Sequence, residues 1–245
     1  MDKNSILVAT IALLVGFIGG FFLANSLNRS EMNAMRSQAP PAAANANGPA
    51  NNDDPSLSQD EIKAKVEEAD KNPDNFNFQR DLGVGLYRYG AMKQDLGVLA
   101  EAARILARAN SLDPKDVDVL VNLGNAHFDI GFAKKEQASF EKAREFYTKA
   151  IAIRPDDPNV RTDLGISYYV QPVPDYSRAA SELQKVVEAN PRHDRSMQFL
   201  AEVYVAQNKI PDAEKLLAKI KEANPTNPAI KELSSHIEAA KNGIK

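Results

Sequence analysis

Apolar residues are arranged along this chain in two ways. From residue 6 to residue 23 the run ILVATIALLVGFIGGFFL is almost wholly apolar, and no charge falls between Lys3 and Arg29. From residue 57 onward apolar positions recur three and four apart among polar ones, the pattern of helices that each bury one face. About 20 helical residues cross the roughly 30 Å hydrocarbon core of a bilayer. The first run therefore predicts a transmembrane helix, spanning from residue 6 to residue 27 of an N-terminal anchor at residues 1–27. A cleaved signal peptide is the alternative, but its apolar region is about 7–15 residues long, and Ala24-Asn25-Ser26 meets a small-x-small cleavage site poorly. Residues 28–56 carry four prolines, much Ala and Asn, and almost no apolar periodicity. Such a stretch cannot bury enough surface to offset its ordering entropy, which predicts a disordered linker with an end-to-end reach on the order of 30 Å.

The second region repeats itself. Helical runs end in proline-containing turns at Pro73, Pro114, Pro155, Pro191 and Pro225, which are 41, 41, 36 and 34 residues apart. Leu57, Ile62, Val66 and Ala69 lie at helical spacing and predict a leading helix within residues 57–75. Ile230, Leu233 and Ile237 form one stripe with Lys231, Glu232, Ser234, Ser235 and Glu238 facing elsewhere, which predicts a capping helix at residues 228–242 with a polar exterior. Between them lie repeats at residues 76–116, 117–157, 158–193 and 194–227.

These repeats resemble the tetratricopeptide (TPR) family, a helix-turn-helix unit of about 34 residues with small residues where paired helices approach. The fourth reads Met197 at the Trp position, Leu200, Ala201, Tyr204, Ala213, Leu217 and Pro225. The third reads Leu164-Gly165, Tyr168, Ala179, Leu183 and Pro191, with two extra residues in its QPVPDY loop. The second reads Leu123-Gly124, His127, Ala143, Tyr147 and Pro155, and the first Leu82-Gly83, Leu86, Ala102, Leu106 and Pro114, each with seven extra residues. Seven residues are almost two helical turns at about 3.6 per turn, so lengthened helices keep their inward faces in register. The expected fold is all-α: an N-terminal transmembrane helix, a disordered linker, and a right-handed α-solenoid of about four TPR helix pairs with a C-terminal capping helix.

The resemblance implies a protein-interaction module whose first helices line a groove for an extended peptide or a helix of a partner protein. Carried onto this chain, the groove positions are Asn77, Arg80, Val84 and Tyr87; Val121, Asn125 and Phe128, with Asp118; Asn159, Thr162, Ile166 and Tyr169; and Arg195, Gln198 and Glu202, with Val205. Rings supply contact area and amides satisfy a ligand backbone, although Tyr87, Phe128 and Tyr169 can equally pack against a neighbouring repeat. A terminal-carboxylate clamp is not expected, because Val84, Asn159 and Asp163 stand where it wants an amide or basic residues. Resemblance to anchored bacterial-type TPR proteins implies a scaffold on an inner or plasma membrane, and a short amino-terminal tail, easier to leave inside, puts the expected array outside the cytoplasm. A cytochrome c maturation accessory holding an apoprotein, or a subunit of an enzyme complex, are the other readings. Gly16 and Gly20 have the GxxxG spacing that lets membrane helices pack closely, a basis for weak self-association.

Composition narrows the partners. Thirty Lys and Arg against 33 Asp and Glu give a net charge of -3, without the basic excess that nucleic acid demands. The absence of cysteine removes disulfides, thiolate metal sites and a thiol nucleophile. His127, His193 and His236 lie in separate repeats or the cap, and none has an i+4 partner suited to a metal. Gly83-Val84-Gly85 lacks the third glycine and preceding strand of a phosphate loop and reads as close helix packing. No catalytic motif is found, so no enzyme, cofactor or metal is expected.

Overall fold

The computed structural model describes residues 58–243; the anchor with Gly16 and Gly20, the linker, Leu57 of the expected leading helix, and the last two residues lie outside the described residues. Among the described residues there are ten helices and no strand: α1 (Gln59–Lys71), α2 (Phe76–Lys93), α3 (Leu96–Leu112), α4 (Val117–Lys134), α5 (Gln137–Ile153), α6 (Pro158–Val170), α7 (Tyr176–Ala189), α8 (Asp194–Ala206), α9 (Ile210–Ala223) and α10 (Ala229–Lys241). None of them is long and apolar enough to cross a membrane.

Short polar side chains start most of these helices, because they satisfy the backbone N–H groups that a first turn leaves without partners. Ser58 and Glu61 form a reciprocal capping box on α1. Asn75, Asp95, Asp116, Asp157 and Asp175 cap α2, α3, α4, α6 and α7, and Pro158 adds a preset φ at the first position of α6. The residues that exceed the 34-residue period in the first two repeats lie in helices: α2 to α5 have 17 or 18 residues, whereas α6 to α9 have 13 or 14.

Helices α2 and α3, α4 and α5, α6 and α7, and α8 and α9 pack as pairs, and the first helix of each pair also touches the first helix of the next, through to α10. Close approach within pairs depends on glycine. A Cβ at Gly83 would stand 2.7 Å from Leu106 Cγ and one at Gly165 2.7 Å from Leu183 Cγ, while one at Gly124 would overlap the Tyr147 ring. Gly85 faces open space, so in the Gly83-Val84-Gly85 run only the first glycine serves packing. The core between the helices holds Leu86, Leu106, Leu123, Tyr147, Leu183 and Ile220, all nearly or fully buried.

The ends are tied in by different means. Asp70 of α1 takes the guanidinium of Arg104 at 2.7 Å and that of Arg108 at 2.8 Å, and hydrogen bonds from both pull its carboxyl down to about 2. Fully buried Gln79 donates to the carbonyls of Ala69 and Asn72, closing the C-terminal turn of α1 on α2. At the other end Leu233 and Ile237 of α10 are buried, and Lys241 reaches Glu214 of α9 at 2.8 Å.

Candidate functional site

Because successive first helices touch, α2, α4, α6, α8 and α10 form one continuous inner row, and it is along this row that a ligand-binding face can be built. The candidate residues carried from the repeat pattern fall on α2, α4, α6 and α8, at different depths. Asn77 is exposed, and Arg80, Val121, Asn125, Asn159, Tyr169, Arg195 and Gln198 are partly exposed. Val84 is partly buried and packs against the core. Tyr87, Phe128, Thr162, Ile166 and Glu202 are buried.

Several of the polar candidates are already engaged. Arg80 lies 2.9 Å from Asp81 and rests on the Phe76 ring. The Tyr147 hydroxyl donates to Asn125 Oδ1 at 2.9 Å, and burial pushes that phenol well above its ordinary range. Thr162 donates to the Pro158 carbonyl one turn back. The rings form a second set of contacts: Phe128 meets Phe140 edge-on at 5.4 Å and stacks with Phe132, while Tyr169 packs beside Tyr176 and edge-on to Phe199. Burial raises the Tyr169 phenol far above its ordinary range.

Polar side chains also join successive repeats. Asp163 of α6 and Arg195 of α8 form a 2.6 Å ion pair, with the guanidinium 5.9 Å above Phe199. His193 Nε2 lies 3.1 Å from Asn159 Oδ1. Glu202 of α8, only 6% exposed, lies 3.0 Å from His236 Nδ1 on α10. The hydrogen bond to Glu202 raises the His236 pKa, and burial raises that of neighbouring Glu232. Sequence reasoning placed these histidines in separate repeats or the cap and gave them no partner. It missed both as inter-repeat links, although Asn159 and His193, like Glu202 and His236, are each one 34-residue period apart. His127 stacks on Phe146 at 5.8 Å, and burial lowers its pKa.

No group of three or more His, Cys, Asp or Glu among the described residues is placed to hold a metal ion. Two hollows lie away from the inner row. One of about 450 Å³ runs beside α7 and includes Ser177, Ser181 and Lys185; the other, about 620 Å³, opens at the QPVPDY loop beside Gln137, Gln171 and Val173. Lys185 is held by Glu182 at 2.6 Å.

Residues 175–237 match the family described as Tetratricopeptide repeat. Residues 58–171 match the family described as Plant specific mitochondrial import receptor subunit TOM20. Among known proteins, Mitochondrial import receptor subunit TOM20-4 of Arabidopsis thaliana is 34% identical over 110 residues, covering 42% of this chain and 59% of that protein. Thus the chain spans less than two thirds of this relative's length. Among solved structures, MamA superposes with a TM-score of 0.54 at 21% identity, covering 67% of this chain and 87% of that one. A thermophilic TPR protein of Thermus thermophilus does so with a TM-score of 0.52 at 16% identity, covering 74% and 89%. At these identities the structural likeness speaks for fold alone, and together with the family match it identifies the described residues as an all-α solenoid of TPR-type repeats.

Proposed function

We propose that this chain is a membrane-anchored scaffold whose inner row of helices binds a peptide or helical segment of another protein. The observation that carries the reading is the unbroken contact of α2, α4, α6, α8 and α10, which lines up Asn77, Val121, Asn159 and Gln198 where side-chain atoms remain accessible. In this reading amides and Arg80 meet the partner's backbone, Val121 and Tyr169 meet its apolar side chains, and buried Tyr87, Phe128, Thr162 and Ile166, with partly buried Val84, fix the helices beneath. The name of the plant relative, an import receptor subunit, accords with a groove that takes a segment of another polypeptide. Tethering follows from the uncharged run at residues 6–23 and the linker after it. A short amino-terminal tail is readily left in the cytoplasm, so the array is assigned to the far side of that membrane.

A photo-crosslinking residue placed at Val121 or Gln198 of the full chain in its native cells, against the same residue at Lys142 or Lys185 on second helices, tests the groove. The inner positions are expected to yield adducts that map to one contiguous partner segment; equal adducts from all four positions would sink the reading. Protease added to intact cells or spheroplasts tests topology, with digestion of the repeats before lysis expected and protection until lysis placing them in the cytoplasm.

A further inference from the structure

We propose that His193 is an acid-sensitive latch on the groove: its neutral imidazole caps the groove helix α8, and protonation of the ring releases that cap. This rests on the groove reading above and adds a means of regulating it. Five other helices are capped by an Asn or Asp side chain, but α8 is capped by His193. Its Nδ1 accepts the Ser196 backbone N–H at 3.2 Å. An imidazole nitrogen accepts only through a free lone pair, so the single proton of the neutral ring belongs on Nε2. There it donates to Asn159 Oδ1 at 3.1 Å. One tautomer satisfies both neighbours, and through it the start of α8 is joined to a groove residue in the first turn of α6.

The charged groups facing the ring are Arg195 and Asp194 on α8 and Asp157 and Asp163 on α6. Burial, then Arg195, disfavours the imidazolium, while the three carboxylates favour it and are outweighed. Each carboxylate already has partners. Asp163 holds Arg195 at 2.6 Å. Asp157 accepts from the backbone N–H groups of Asn159 and Val160, and Asp194 accepts from the side-chain amides of Asn224 and Asn227.

Protonation removes the Nδ1 lone pair, so Nδ1 no longer accepts the Ser196 backbone N–H and the cap on α8 is lost, the new N–H having Ser196 Oγ as its acceptor at 3.1 Å. The new positive charge also stands beside Arg195. The first turn of α8, which carries Arg195 and leads to Gln198, loosens, while the Nε2–H that donates to Asn159 Oδ1 now belongs to a charged ring. The sign follows from the lowered folded pKa: the latch's stabilisation is present above the ordinary histidine value of 6.5 and is lost as pH falls below it toward the folded value.

Hydrogen exchange of the full chain in lipid nanodiscs, followed by mass spectrometry of a peptide over residues 193–199 between pH 7.5 and 5, tests this. After correction for intrinsic exchange, native exchange is expected to rise roughly fivefold on the acid side, the scale set by loss of an N-cap. In His193→Asn, which keeps a cap acceptor but does not titrate there, it should stay flat. A flat native profile, or an equal rise in the variant, would overturn the latch. The Asn159 side-chain amide resonance reports the link to α6 and should move with the His193 titration; a resonance that stays put would also overturn it. Both readouts need no partner, so failure of the latch is separable from failure of the groove.

Discussion

At the scale of single residues, the account turns on which atoms lack room and which lack partners. Gly124→Ala would drive a methyl into the Tyr147 ring, which is buried and hydrogen-bonded to Asn125. We expect it to cost about 1–3 kcal/mol in urea denaturation of the full chain. Gly85→Ala meets nothing within 4 Å and should instead stabilise α2 by about 1 kcal/mol. His236 has the opposite sign from His193. Its pKa is raised by Glu202, so its contribution is fully present below the ordinary 6.5 and is lost as pH rises through the raised folded value. The thermal unfolding midpoint of the native chain should therefore fall from pH 6.5 upward, and that decline should vanish in His236→Ala. The glycine packing at Gly83, Gly124 and Gly165 was legible in sequence, because only one residue type fits where two backbones close. The histidine links were not, because they depend on which side chain a neighbouring repeat presents 34 residues away.

At the scale of elements, helix ends were harder to read than helix faces. The apolar stripes and proline turns mark where helices lie, and small residues mark where pairs approach. The turns inside the first two repeats carry no such mark, since Gln94 and Lys135 take left-handed backbone conformations with φ of 55° and 52° where glycine is the usual signal. Replacing either with glycine removes the steric cost that an L side chain bears in that conformation, less the entropy glycine loses on folding. Each substitution should raise stability by roughly 0.5–1 kcal/mol, read as a shift of the urea midpoint with unchanged slope. Groove depth was only partly legible. Pattern positions mark which helix a residue is on, but Thr162 and Ile166 are fully buried and Asn77 exposed, a distinction set by how far each pair of helices is rotated.

At the scale of the whole molecule, a repeat array is stabilised by interfaces between neighbours, so its last helix matters beyond its size. Leu233→Ala on α10, whose side chain is 1% exposed, should cost about 2–5 kcal/mol, with hydrogen exchange rising in α8 and α9 before it rises in α2 and α3. The central claim is that the inner row binds a segment of another protein. The most direct test is a binding isotherm of the full chain with the crosslinked partner segment made as a synthetic peptide. Val121→Glu on the inner row should weaken binding by at least about tenfold, the loss of roughly 1.4 kcal/mol expected at a buried contact, while Lys142→Glu on a second helix leaves it within about twofold. Equal losses from both substitutions, or none from Val121→Glu, would contradict it.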